Sequence, residues 1–130
     1  MHLLEFGDLS PYQIAEIFDL TDRLKLEREK RLLAGKTFIL FFPESSLRTR
    51  ITFEKGIKDL GGECILFPPE ALDKREDLRD VTKYMENWAN GVIARHPDFS
   101  KMKEISRHSS IPVINAMTSE NHPCEILSDL

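Results

Sequence analysis

Several classes of protein are excluded by what this 130-residue sequence lacks. It has only two cysteines, Cys64 and Cys124, without C-x-x-C spacing, so neither a disulfide framework nor a zinc ribbon is indicated and a reducing compartment fits best. No stretch reaches the roughly 18 apolar residues of a membrane span, and the first ten residues do not resemble a secretion signal. The formal net charge of -4 does not suit a general nucleic-acid binder. We therefore predict one cytoplasmic domain that binds neither nucleic acid nor membrane.

The apolar residues alternate between strand-like and helix-like spacing, with turn signals at each change. Apolar, β-prone runs predict strands over residues 37–42, 63–67, 91–94 and 112–116. Helical spacing predicts helices over residues 9–25, 48–60, 77–88 and 98–109, and a fifth helix that begins at His122. Strands that alternate with helices favour right-handed crossovers. The predicted fold class is therefore α/β: a three-layer domain with a central parallel sheet of about four strands flanked by helices.

Two of these helices carry more specific predictions. The first has Ser10 as its N-cap, Pro11 at its first position and Gln13 where it completes a capping box. The helix over residues 77–88 is expected to direct its apolar side chains, including Trp88, toward the core. We interpret Trp88 and the phenylalanines as core residues without a functional role.

Polar residues cluster after each predicted strand. The clusters are residues 45–50, the loop through Lys74, Arg95 with His96, and residues 115–125. In a parallel α/β sheet, ligands bind at the carboxyl ends of the strands, which lie at one edge. The four clusters therefore predict one binding site.

The stretch "FFPESSLRTR" concentrates donors where a buried strand gives way to a helix. The first turn of a helix offers unpaired N–H groups and the positive end of the helix dipole, so it attracts anions. The guanidinium groups of Arg48 and Arg50 suit a phosphate, and so do the hydroxyl groups of Ser45, Ser46 and Thr49. Neither G-x-x-x-x-G-K-[ST] nor G-x-G-x-x-G occurs, so a nucleotide motif does not explain these donors. A phosphate or phosphoester is the predicted ligand, although the stretch taken alone also fits a solvated helix start.

Three short motifs resemble those of one enzyme family. "SSLRTR", "RHP" and "HPCE" are similar to the S-T-R-T-R, R-H-P and H-P-x-Q motifs of the aspartate/ornithine carbamoyltransferases, in the same order and at compatible spacing. The resemblance implies that residues 1–130 form the amino-terminal, carbamoyl-phosphate-binding domain, and that the amino-acid-binding second domain is absent from this chain. It also implies a homotrimer in the full-length form, and carbamoyl transfer to ornithine or aspartate without a cofactor or a metal.

The resemblance implies that the phosphate is held at the first of these motifs. Ser46, Arg48 and Thr49 would surround the phosphate. Leu47 stands where most members have threonine. That change removes one hydroxyl donor, but the backbone N–H of Leu47 would still contact the phosphate.

The remaining motif residues are implied to act on the carbamoyl group. Thr49, Arg95 and His122 would face its carbonyl oxygen and stabilise the negative charge that develops there, as an oxyanion hole does. With Arg48, these are the expected catalytic residues. "LDKREDLRDV" resembles the family's K-x-E-S-x-x-D-T loop, so Lys74 would reach into a neighbouring subunit's site.

Glu125 stands where the family motif has glutamine, which is expected to meet the carbamoyl nitrogen. A carboxylate accepts hydrogen bonds from an NH₂ group, but at roughly 5 Å and an effective dielectric of about 20 each pair of like charges costs about 3 kcal/mol. Two alternatives to the transferase therefore stay open. One is a non-catalytic module that binds phosphate or carbamoyl phosphate, and the other is a structural subunit that lends Lys74 to a partner.

The acceptor amine is indicated only weakly by the sequence. "ARHP" resembles the aspartate branch of the family, whereas "LLAGKTFILFF" and "MTSENHPCEILSDL" resemble the ornithine branch. On this balance ornithine is slightly favoured. The last predicted helix stops in mid-pattern at Leu130, which we interpret as the mark of a piece of a longer protein.

Overall fold

The structure, a computed structural model, describes residues 2–26, 31–73 and 77–117. Its helices are α1 (Pro11–Leu26), α2 (Leu47–Asp59), α3 (Leu78–Glu86) and α4 (Phe99–His108). Its strands are β1 (Thr37–Phe41), β2 (Glu63–Phe67), β3 (Gly91–Arg95) and β4 (Val113–Met117), and short 3₁₀ helices cover Phe6–Asp8 and Pro69–Asp73. Each helix and strand lies within two residues of its predicted range. The fifth predicted helix lies outside the described residues.

The four strands form one parallel sheet in the order β2-β1-β3-β4. Alternate residues of β1 face opposite layers, as the pleat of a strand requires. Ile39 and Phe41 join a core cluster shared with α3 and α4, whereas Leu40 joins a cluster shared with α2, together with Phe42 just after the strand. The predicted three-layer α/β architecture is therefore confirmed.

The predicted capping box begins α1, and a glycine pair ends α2. At the start of α1, Gln13 N–H donates to Ser10 Oγ at 3.1 Å and Ser10 N–H donates to Gln13 Oε1 at 2.9 Å, which is a capping box. After α2, Gly61 N–H donates to the Lys58 carbonyl and Gly62 N–H to the Ile57 carbonyl, the pattern of a Schellman motif. Gly61 has a φ of 91°, a conformation that favours glycine.

The prediction that Trp88 belongs to the core is wrong, since Trp88 is 67% exposed. Helix α3 ends at Glu86, so helical spacing no longer governs position 88, and Ala89 is buried instead. Phe18 and Phe67 are also exposed, against the same interpretation. The other described phenylalanines are buried or half-buried.

An open apolar groove of about 690 Å³ lies between the edge strand β2 and helix α3. We call it the β2–α3 groove. Its exposed apolar side chains are Ile65, Phe67, Tyr84 and Trp88. These four residues form an apolar surface at one edge of the domain.

The opposite edge of the sheet is covered by the start of the chain. Leu3 forms a parallel bridge with Ile114 of β4, donating to the Val113 carbonyl at 2.9 Å and accepting from the Asn115 N–H at 2.7 Å. This pairing satisfies backbone groups that an edge strand would otherwise expose. Among the described residues, no helix has both the length and the apolar character that a membrane crossing demands.

Candidate functional site

The strand order places a topological switch point between β1 and β3. From β1 the chain passes through α2 to β2 on one side, and from β3 it passes through α4 to β4 on the other. Because α2 and α4 pack on opposite faces, the segments that leave β1 and β3 diverge. Such a divergence opens the crevice in which α/β proteins bind ligands. The predicted polar clusters after the first and third strands therefore border one crevice.

Ser46 is the N-cap residue of α2, but its hydroxyl does not cap the helix. The Arg50 N–H donates to the Ser46 carbonyl at 3.1 Å. In contrast, Asp77 and Asp98 each accept a hydrogen bond from a first-turn N–H at the starts of α3 and α4. First-turn N–H groups have no partner within their own helix. Helix α2 therefore offers these groups, with the positive end of its dipole, to the crevice.

The Ser46 hydroxyl accepts a hydrogen bond from Arg95 instead. Arg95 Nη1 lies 2.7 Å from Ser46 Oγ, and Ser46 is 1% exposed. Arg95 is the last residue of β3 and follows a shift of register, because Ala94 pairs with Asn115 but Arg95 pairs with Met117. Irregularities of this kind redirect side chains beside functional sites. A guanidinium has five N–H donors, so the bond to Ser46 leaves others for a ligand.

The remaining predicted residues of the first cluster lie in the first turn of α2. Leu47 and Arg48 are exposed, and Thr49 is half-buried. Arg50 forms an ion pair with Glu54 one turn later, with Nε 3.6 Å from Oε2. Arg48 and Thr49 are thus at the helix start that borders the crevice, beside the Ser46–Arg95 hydrogen bond.

A second polar cluster surrounds the imidazole of His96, which follows Arg95 in the chain and is 3% exposed. His96 Nε2 lies 2.9 Å from Asp73 Oδ1, and His96 Nδ1 accepts the Asp98 N–H at 2.9 Å. Lys101 Nζ forms an ion pair with the same Asp73 oxygen. The imidazole therefore joins the 3₁₀ helix Pro69–Asp73, the end of β3 and the N-cap of α4.

The carboxylates of this cluster are held in their charged form. The hydrogen bond from Lys101 lowers the pKa of Asp73, and the hydrogen bond from His96 adds to this effect. The pKa of Asp98 is lowered by hydrogen bonds from the hydroxyl and the backbone N–H of Ser100. The sequence placed His96 in the predicted site, but its contact with Asp73 and the contact of Asp73 with Lys101 were not predicted, because these residues lie on three elements and no spacing rule connects them. The buried histidine of "RHP" was the only available signal.

Among the predicted site residues, the structure brings together Ser46, Arg95 and the first turn of α2. Lys74, His122 and Glu125 lie outside the described residues. Among the residues that the structure does describe, no group of histidine, cysteine and acidic side chains has the arrangement of a metal site.

Comparison with known proteins yields a family and a set of relatives. The model of the aspartate/ornithine carbamoyltransferase, carbamoyl-P binding domain family matches residues 1–130. The ornithine carbamoyltransferase of Aquifex aeolicus is 40% identical over 131 residues, which cover 98% of this chain and 43% of that protein. The crystal structure of ornithine carbamoyltransferase from Thermus thermophilus superposes with a TM-score of 0.89 at 34% identity, over 98% of this chain and 46% of that one.

A second crystal structure agrees with the first. The anabolic ornithine carbamoyltransferase from Campylobacter jejuni superposes with a TM-score of 0.89 at 32% identity, over 98% of this chain and 42% of that one. The chain thus spans less than half the length of the relatives it matches. The matched family agrees with the three motifs and with the crevice at the switch point. This chain belongs to the aspartate/ornithine carbamoyltransferase family and corresponds to its carbamoyl-phosphate-binding domain.

Proposed function

We propose that this chain is the carbamoyl-phosphate half of an ornithine carbamoyltransferase. The observation that carries the proposal is the 2.7 Å hydrogen bond from Arg95 to Ser46, beside a helix start that Ser46 leaves uncapped. This arrangement gathers backbone N–H, hydroxyl and guanidinium donors around one crevice. A phosphate dianion joined to a polarisable carbonyl group is the ligand that such donors favour.

Each motif residue has a role in this proposal. Ser46, Arg48 and Thr49 hold the phosphate, and Leu47 contributes its backbone N–H. Arg95, with Thr49 and His122, faces the carbonyl oxygen. Glu125 meets the carbamoyl NH₂ group, and Lys74 enters the site of a neighbouring subunit.

The proposed reaction needs no covalent intermediate on the protein. The uncharged amine of the acceptor attacks the carbonyl carbon and forms a C–N bond. Negative charge grows on the carbonyl oxygen and is stabilised by the donors that face it. The C–O bond to phosphate then breaks, phosphate leaves with the bonding electron pair, and the new amide nitrogen loses a proton.

The acceptor is ornithine in this proposal, with aspartate as the alternative. The curated relatives and solved structures quoted above are ornithine carbamoyltransferases, and they are more than twice as long as the matched region. We propose that residues 1–130 are one domain and that an amino-acid-binding domain outside this chain selects the acceptor. Supplying that domain and measuring carbamoyl transfer to each amino acid distinguishes the two acceptors.

A trimer is the proposed assembly, and the β2–α3 groove supports it. The groove exposes a patch of four apolar side chains: Ile65, Phe67, Tyr84 and Trp88. Exposed apolar patches mark interaction sites, and a second copy of the chain would bury this one. A Trp88→Glu variant should then sediment at the 15.0 kDa monomer mass while the unchanged chain sediments at about three times that mass. If both have the same mass, the groove does not mediate assembly.

We also propose a cytoplasmic location, which suits the free thiol of Cys64.

Calorimetric titration tests the binding proposal. Carbamoyl phosphate, or a stable phosphonate analogue, should bind more tightly than inorganic phosphate, and Arg48→Ala should remove that binding. The matched control is Arg107→Ala, which removes another exposed arginine, in the last turn of α4 at the opposite end of the strands. Equal affinities for phosphate and carbamoyl phosphate, or equal effects of the two variants, would contradict the proposal.

The second candidate function is a module that binds carbamoyl phosphate without turnover, and Glu125 is the residue that favours it. Glu125→Gln should increase the affinity for carbamoyl phosphate, because it removes a negative charge from the neighbourhood of a dianion. If transfer activity in the presence of the acceptor domain appears only in Glu125→Gln, the unchanged chain is the binding module.

A further inference from the structure

The buried imidazole of His96 has both ring nitrogens occupied. The Asp98 N–H donates to Nδ1 at 2.9 Å, so Nδ1 is an acceptor without a proton. The proton of a neutral imidazole then sits on Nε2, which donates to Asp73 Oδ1 at 2.9 Å. Because both ring nitrogens bond to groups of the chain, neither is left to bond to a ligand. Its function is therefore structural or one of positioning.

The charged groups around His96 support the same tautomer. Asp73 faces Nε2 from the 3₁₀ helix, and Lys101 faces Asp73 from α4. Asp98, at the start of α4, directs its carboxylate to Ser100 and only its backbone N–H to the ring. The hydrogen bond from Lys101 lowers the pKa of Asp73, so the acceptor of Nε2–H stays a carboxylate.

The position of this pair connects it with the crevice. His96 is the residue after Arg95, and the backbone between them follows the shift of register in the β3–β4 pairing. A shift of register leaves a strand end less constrained by the sheet. The hydrogen bonds of His96 with Asp73 and Asp98 hold the backbone at this point, where the sheet does not. The held residue is adjacent to Arg95, whose guanidinium binds Ser46.

We propose that Asp73 and His96 are positioning residues that hold the Arg95 guanidinium against Ser46. The inference rests on the proposed function, in which Arg95 faces the carbonyl oxygen of carbamoyl phosphate. The pair does not touch the ligand. It acts by fixing the direction in which Arg95 leaves β3.

The first experiment is independent of any ligand. A crystal structure of the full chain with Asp73→Ala should have Arg95 Nη1 beyond hydrogen-bond distance of Ser46 Oγ. If the two atoms remain at the 2.7 Å of the unchanged chain, the proposal is overturned. If Asp73→Ala does not fold, His96→Asn, whose shorter side chain keeps an acceptor for the Asp98 N–H but lacks the Nε2–H that reaches Asp73, is examined in the same way and judged by the same distance.

The second experiment measures affinity for carbamoyl phosphate by calorimetry. Asp73→Ala should weaken binding about tenfold, the usual effect of losing one hydrogen bond to a charged group, and Asp73→Asn should restore most of the affinity because it keeps an acceptor for Nε2–H. The control is Asp59→Ala in α2. Its carboxylate binds Lys55 at 2.8 Å and is 54% exposed, against 45% for Asp73. Equal affinities of Asp73→Ala and Asp59→Ala would overturn the proposal.

A double substitution separates positioning from a general loss of structure. In an Arg95→Ala background, Asp73→Ala should cause no further loss of affinity, because the residue through which it acts is gone. If the two losses multiply, Asp73 does not act through Arg95. Failure of the proposed function gives a different result from failure of the positioning role. If the proposed function is wrong, Arg48→Ala has no effect on carbamoyl phosphate binding. The positioning role is still decided by the distance between Arg95 Nη1 and Ser46 Oγ in Asp73→Ala.

Discussion

Replacement of Ser46 by alanine should weaken carbamoyl phosphate binding with little loss of helix stability. Ser46 occupies the N-cap of α2 but makes no side-chain cap, so the usual N-cap cost of about 1 kcal/mol does not arise. What is lost is the acceptor for Arg95 at 2.7 Å, and with it the hydroxyl that lies beside the phosphate in the proposed site. Hydrogen bonds to charged groups contribute about 1.5–3 kcal/mol. Because Arg95 is half-buried, its guanidinium can bond to water once the Ser46 hydroxyl is gone. We therefore expect a loss of binding free energy at the lower end of that range, about 1.5 kcal/mol, which corresponds to about tenfold weaker binding.

The matched control for this prediction is Ser10→Ala. The Ser10 hydroxyl accepts the Gln13 N–H at the start of α1, so its loss should lower the free energy of unfolding by about 1 kcal/mol and leave binding unchanged. Urea unfolding and calorimetric titration of both variants make the comparison. Affinity of Ser46→Ala within twofold of the unchanged chain would refute the assignment of Ser46 to the ligand site.

Three further predictions concern stability and are measured by urea unfolding. The pKa of Asp73 is lowered in the folded chain, mainly by the hydrogen bond from Lys101, so its contribution is present above the unfolded pKa and is lost as the pH falls through the folded value. The free energy of unfolding should decline below about pH 4, and less steeply in Asp73→Asn than in the unchanged chain. Equal slopes for the two proteins would contradict this prediction. Gly61→Ala should cost about 1–2 kcal/mol because φ is 91° there, and a neutral result would be inconsistent with that conformation. Leu40→Ala should cost about 2–5 kcal/mol and Tyr12→Ala less than about 0.5 kcal/mol, since Leu40 is fully buried and Tyr12 is exposed outside the β2–α3 groove; the reverse order would invalidate the description of the core.

Much of the fold could be predicted because local signals agree with the tertiary arrangement. The capping box at Ser10 and the glycine pair after α2 mark helix ends by hydrogen bonds between near neighbours in the chain. Such bonds depend on residue type and spacing, which a sequence displays directly. Trp88 was wrongly assigned to the core because the helix ends at Glu86, and the helical period was extended past that end.

The candidate site was predicted in part. The donors around Ser46 and Arg95 were identified from their motifs and from the rule that ligands bind at the carboxyl ends of parallel strands. Their direct hydrogen bond was not predicted, because the two residues lie 49 positions apart in the chain and come together through the pairing of β1 with β3. The contacts among Asp73, His96 and Lys101 were missed for the same reason.

By itself, the sequence determined the helices and strands, the α/β class and the concentration of hydrogen-bond donors at the start of α2, because periodicity, capping and donor chemistry act over a few residues. Only the tertiary structure decided the strand order β2-β1-β3-β4, and with it the crevice between β1 and β3. It alone decided that Ser46 binds Arg95 and leaves α2 uncapped, and that Asp73 binds His96. These contacts join residues far apart in the chain, so they exist only once the core has brought the strands and helices together.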